Sequence, residues 1–190
     1  MSKMALKKAH IRFSYKDYLL LSGDARCEIL EGELRPVPAF DIKHQEVALK
    51  IAAALLLHVE AGKLGRVFRA PCDVVFSEET VMQPDILFVA RKRRGIIGEA
   101  NLRGVPDLII DVLSRATRER DFKLRRKIYA RFEVQEYWVV DSDANTVETL
   151  VWSEIGYVSV GNYRKPDKVS SPLLPDLNLM LSPIFGGSDP

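Results

Sequence analysis

Val105-Pro106-Asp107-Leu108-Ile109-Ile110-Asp111-Val112-Leu113-Ser114 is the stretch whose reading decides the fold. Proline opens it and branched side chains fill it, so it reads as a short buried strand. A second run, Gln83-Pro84-Asp85-Ile86-Leu87-Phe88-Val89, repeats the pattern just upstream. Asp85 opens its strand, whereas Asp111 interrupts an otherwise unbroken apolar one. An unpaired carboxylate there costs on the order of several kcal/mol. Asp111 therefore needs a partner. A divalent cation shared with Asp85 is one; a helix cap or an arginine is another.

Outward from these strands the elements follow from spacing. Ser14 with Asp17 three residues on predicts a capped helix through Leu21, broken by Ser22-Gly23-Asp24. Arg26–Leu30 and Glu33–Pro36 predict a hairpin turning at Glu31-Gly32. Asp41 or a neighbour caps a long helix whose Val47, Leu49, Ile51, Ala54, Leu55 and His58 keep helical spacing, and Gly62 ends it. A strand is expected from Gly65 to Phe76, and a polar connection from Arg91 to Leu102. Ser114 or Thr117 caps a helix running to Phe132. Val134–Asp141 reads as another buried strand, and Thr146–Trp152 with Gly156–Val160 as a second hairpin. The order is helix, three strands, helix, strand, which predicts an α/β fold with a mixed sheet flanked by helices.

The 190 residues suit a single domain, with residues 1–12 a basic lead-in and the proline-rich residues 161–190 a C-terminal arm. No apolar stretch is of membrane-spanning length and no secretion signal is visible, and two cysteines, Cys27 and Cys72, make no disulfide framework, so a cytoplasmic setting is expected. The net charge of +2 excludes nothing, but its distribution matters. From Ser114 to Arg131 eight basic residues face two acidic ones, and Arg91-Lys92-Arg93-Arg94 follows the first acidic strand. Two readings stand: solvated helix and loop faces, or a surface that tracks phosphates. There is no zinc-type cysteine–histidine spacing, no phosphate-loop glycine pattern and no nucleophilic serine motif.

CEILEGEL, His44 on the first long helix, QPDILFV, PDLIIDVLS, RERD and YARFEVQEYWVVD, in that order, resemble the Uma family of putative restriction endonucleases, within the PD-(D/E)XK nuclease superfamily. The similarity runs from about Tyr15 to Phe185 and includes LLPDLNLMLSPIF, with Asp176 where the family has glycine. The resemblance implies a restriction-endonuclease-like core in the order α-β-β-β-α-β, with an N-terminal hairpin and a C-terminal arm. It implies that Asp85 is the first motif acid and that Asp111 is the second, where glutamate is usual. Leu113 stands where the motif lysine would fall. The lysine that migrates to the next helix, four residues before a tyrosine matching Tyr129, corresponds to Arg125. Glu28 matches a glutamate supplied from near the N-terminus.

On this reading the chain is a hydrolase, a Mg2+- or Mn2+-dependent endonuclease cutting DNA as a homodimer and weakened by the departures at Asp111 and Arg125. Asp85, Asp111 and Glu28 are its expected metal ligands, since hard cations take oxygen donors. Arg125 can clamp a phosphate but cannot give up a proton, which leaves Lys123 and Lys127 as candidates for the lysine's role. Helix geometry opposes that swap, because residues two apart point roughly 200° from each other. Arg115, Arg118, Arg126 and His44 are the candidate nucleic-acid contacts. Tyr129 and Trp138 read as core, Asp107 as a turn residue, and His44 also fits a packing or capping role. The alternatives are a nucleic-acid-binding protein without catalysis and a dimeric interaction protein on a nuclease scaffold.

Overall fold

The computed structural model describes residues 11–21, 26–37, 39, 41–113 and 120–186, the first two residues of the last stretch by backbone alone. The lead-in before Ile11, the Ser22-Gly23-Asp24 break, both proposed caps Ser114 and Thr117, and the candidates Arg115 and Arg118 lie outside the described residues.

Ser14 caps helix α1 (Tyr15–Tyr18) in a reciprocal box with Asp17, and the helix ends a turn earlier than the spacing suggested. The hairpin forms as strands β1 (Cys27–Leu30) and β2 (Glu33–Pro36). Glu31 and Gly32, at φ 54° and 84°, make its tight turn. Asp41 caps α2 (Ile42–Ala61) through the His44 backbone N–H, and Gly62 closes it.

The single strand expected from Gly65 to Phe76 is instead two strands in different sheets, β3 (Gly65–Arg69) and β4 (Val74–Ser77). The Ala70-Pro71 step separates them, where a ring without an N–H cannot continue a ladder. The short strand β5 (Thr80–Met82) pairs with both β1 and β4. Then come β6 (Ile86–Ala90), a 3-10 turn over Arg91–Ile96, β7 (Leu102–Arg103) and β8 (Leu108–Leu113). Helix α3 (Arg120–Arg131) leads to β9 (Glu136–Asp141), β10 (Thr146–Ser153) and β11 (Gly156–Arg164). Past Arg164 the arm is more regular than its prolines suggest: β12 (Lys168–Val169) pairs with β13 (Leu179–Met180), which runs into α4 (Leu181–Phe185). Asp176 has φ 63°, the left-handed backbone that glycine adopts freely and aspartate tolerates.

Two sheets result. The larger has the order β11-β10-β9-β8-β6-β3, and the smaller β2-β1-β5-β4-β7. In the larger sheet β3, β6 and β8 run antiparallel and β9 joins β8 in parallel after the α3 crossover. This is the helix, three strands, helix, strand order read from the sequence. Alternation along β8 and β9 sends Ile110, Val112, Trp138 and Val140 into a core shared with α2 and the C-terminal segment. Ile109, Tyr137 and Val139 face the other way, toward α3 and the smaller sheet. Among the described residues no helix is long and apolar enough to cross a membrane.

Glu136 lies fully buried on the α2 side. Its carboxylate accepts from Trp138 Nε1 at 2.6 Å, Ser171 Oγ at 3.0 Å and the Leu173 N–H at 3.1 Å, so it pins the arm to the sheet. Burial pushes its pKa up, and these three donors oppose that. Glu136→Gln keeps the shape but turns an amide N–H2 toward a donor. A loss of about 1–3 kcal/mol in urea-unfolding stability is expected. An unchanged midpoint would show that the clasp contributes nothing.

Candidate active site

β6 and β8 place the two acids. Their register pairs Ile86 with Ile110 and Leu87 with Ile109, so one step further Asp85 stands opposite Asp111. Cross-strand neighbours share a face. Both aspartates line one cavity of about 270 Å³, together with Glu28 from β1, Arg125 from α3 and Tyr137 from β9. The smaller sheet forms one wall of it and α3 another.

Each acid is held by a different set of donors. Asp85 Oδ2 accepts from the Val112 N–H at 2.7 Å and lies 3.1 Å from His44 Nε2. Asp111 Oδ2 accepts from the Tyr137 hydroxyl at 3.1 Å and lies 3.8 Å from Arg125 Nη1. Glu28 is taken at both oxygens, by the Gln83 N–H at 2.6 Å and by Arg125 Nη2 at 2.6 Å. Arg125 Nη1 also donates to the Tyr129 hydroxyl at 3.1 Å. One guanidinium thus bridges Glu28, Asp111 and Tyr129. A planar fork with several donors does this, and a single ammonium does not.

The acids crowd one another. Burial pushes the Asp111 pKa up to about 6; the Arg125 charge opposes the rise, and the Asp85 and Glu28 charges add to it. Burial likewise holds the Tyr137 and Tyr129 hydroxyls well above the usual tyrosine range, so both stay protonated as donors or acceptors.

The remaining candidates fall in different places. His44 is buried on the first turn of α2 and reaches Asp85 from behind, lining a second, smaller cavity with Arg26 and Arg69. Lys123 and Lys127 are exposed, and neither lines the cavity, in keeping with their angular offset from Arg125. Arg126 donates to the Tyr157 carbonyl at 3.1 Å, which turns it toward β11. Asp107 is a structural clasp, accepting from the Ala90 N–H at 2.7 Å beside Arg93 at 3.6 Å. Tyr129 and Trp138 are fully buried.

Tyr137 and Gln83 were not singled out from the sequence for this site. Alternation along EYWVVD places Tyr137 on the face opposite Trp138, which is the signal that finds it. Gln83 acts through its backbone, which side-chain chemistry does not reveal.

A hard divalent cation fits this donor set in a limited way. Among the described residues, no hydrogen-bond donor reaches the second oxygen of Asp85 or of Asp111, and both side chains line the cavity. Two carboxylates are what a magnesium-type ion takes when it keeps several waters. A cage of three acidic or histidine side chains is absent among the described residues, since Arg125 engages Glu28 instead.

The family described as "Uma2: Putative restriction endonuclease" matches residues 15–182. A crystal structure of a putative nuclease belonging to DUF820, from Anabaena variabilis, is similar in fold. It superposes with a TM-score of 0.76 at 18% identity, over 91% of this chain and 97% of that one. No curated protein matches.

Proposed function

Because this chain belongs to the Uma2 family, whose description is putative restriction endonuclease, we propose that it is a metal-dependent endonuclease hydrolysing phosphodiester bonds of DNA. The observation that carries this reading is the pairing of Asp85 and Asp111 across β6 and β8 in one cavity beside Arg125.

Asp85 and Asp111 would hold a magnesium or manganese ion. Such an ion supplies Lewis acidity, which makes water nucleophilic and draws off charge from the phosphate. The chain's own residues do the rest. The Val112 N–H and His44 fix Asp85, and Tyr137 fixes Asp111, so both carboxylates are preorganised. Arg125 brings a permanent positive charge to the cavity, suited to a phosphate oxygen as the non-bridging charge grows. It exchanges no proton at working pH, so it is an electrostatic group and not a general base.

The test is plasmid nicking by the full chain with magnesium, with manganese and with chelator. Nicking that requires either metal supports the reading. The same nicking in chelator, or none with either metal alongside undetectable DNA binding at low salt, overturns it.

One observation favours a second reading. Glu28 engages Arg125, the residue that the resemblance sets against the family's lysine, in an ion pair at 2.6 Å. A chain silenced by this pair would bind DNA in a salt-sensitive way and cut with neither metal.

A further inference from the structure

The basic run Arg91-Lys92-Arg93-Arg94 follows the first acid closely in sequence but not in space. Asp85 stands at one end of β6, and the run begins at the other. Five strand residues at about 3.3 Å each separate the two by roughly 17 Å. At that far end lies a separate cavity of about 320 Å³, with Lys63, Arg66, Arg91 and Arg94 in its lining and Glu60 as its one acid.

Local chemistry builds it. The Arg91 N–H donates to the Leu64 carbonyl at 2.8 Å, which ties the 3-10 turn to the junction of α2 and β3. Lys63 and Arg66 are thereby set beside Arg91 and Arg94. A Cβ on Gly65 would meet the Val89 carbonyl oxygen, so only glycine lets β3 approach β6 this closely at the edge of the hollow. Arg66 lies over the Phe68 ring at 5.0 Å, which orders its guanidinium. Arg93 is turned away toward Asp107. The four lining cations are exposed and have no ion-pair partner among the described residues.

We infer that this cavity is a second phosphate-contacting site, which grips the nucleic-acid backbone away from the scissile bond. The inference rests on the nuclease reading for its ligand. Four cations against one carboxylate around one hollow fit a polyanion, and duplex rise of 3.4 Å per base pair puts the contact about five base pairs from the cut. The site therefore favours long DNA over short DNA, and it favours it without regard to sequence.

The test compares binding of the full chain, in chelator, to a stem-loop of about eight base pairs and a duplex of about 24 base pairs. Arg66→Gln/Arg91→Gln/Arg94→Gln is expected to lose about tenfold or more in affinity for the long duplex, with less than about twofold for the short one. Its salt slope on the long duplex falls by about 2 to 3. Arg164→Gln/Lys165→Gln/Lys168→Gln removes the same charge beyond the opposite edge strand and is expected to leave the length preference intact. Equal losses at both lengths, no loss at either, or an equal effect from the control variant would overturn the inference. Wild-type protein that binds neither DNA here and nicks no plasmid with either metal would sink the nuclease reading itself, whereas wild-type binding unaltered in the first variant sinks this site alone.

Discussion

Asp85→Asn and Asp111→Asn are each expected to lower DNA cleavage at least about a thousandfold, because each removes one of the two anionic donors at the cavity. Asparagine nearly preserves shape. At position 85 its carbonyl oxygen still accepts from the Val112 N–H, so the β8 backbone keeps its partner. The charge is what disappears. Since Asp85 contributes to the raised pKa of Asp111, its neutralisation also relaxes Asp111 toward the ordinary carboxylate range. DNA binding without metal should hold steady or tighten, as a negative charge has left a surface that meets phosphates. Single-turnover cleavage and fluorescence-anisotropy binding, measured on the same preparations, separate the two effects. Cleavage that survives both substitutions would assign the activity to another site or to a contaminant.

The second large effect is at Arg125. Its side chain is 19% exposed, and those of Glu28 and Asp111 are 4% and 9%, so the pairing operates largely out of water. Arg125→Met strands two buried carboxylates, and a loss of about 3–5 kcal/mol in unfolding free energy is expected. Combining it with Glu28→Gln should return much of that loss. A double-mutant cycle then gives the coupling directly, and a coupling near zero would mean that the pair does not stabilise the fold. Arg125→Lys asks a functional question of the same position. A lysine satisfies fewer of the three partners, frees part of Glu28 and restores a group able to exchange a proton. Cleavage is expected to rise about tenfold or more, and the gain should be largest if the ion pair silences the wild type. Unchanged cleavage would show that the arginine is not what limits the enzyme.

The strands at Ile86–Ala90 and Leu108–Leu113 were readable because buried strands carry their signal locally, in branched side chains bounded by proline. So was the long helix, with Asp41 and Gly62 marking its ends. The break between β3 and β4 was not, since both halves have strand chemistry and only the sheet assignment differs. β5 and β7 are three and two residues long, too short for any period to show. In the site, the facing of Asp85 and Asp111 follows from antiparallel pairing of two neighbouring strands. The Glu28–Arg125 contact spans 97 residues and depends on how the smaller sheet docks on α3, which no local pattern encodes. The basic run stands apart from the paired acids for a related reason: few residues along an extended strand are a long way in space.

Trp138 sits fully buried on the sheet face away from the cavity, and Trp152 is fixed to α3 by its indole N–H donating to the Ala130 carbonyl at 2.9 Å. Neither indole lines the cavity of the paired aspartates or the basic hollow beyond β6. Intrinsic emission therefore serves as a built-in gauge of native structure, read from outside both candidate sites. Apart from Glu136→Gln, which alters the acceptor of the Trp138 indole itself, the substitutions discussed above can be checked for an intact sheet in the same cuvette in which nucleic acid is titrated.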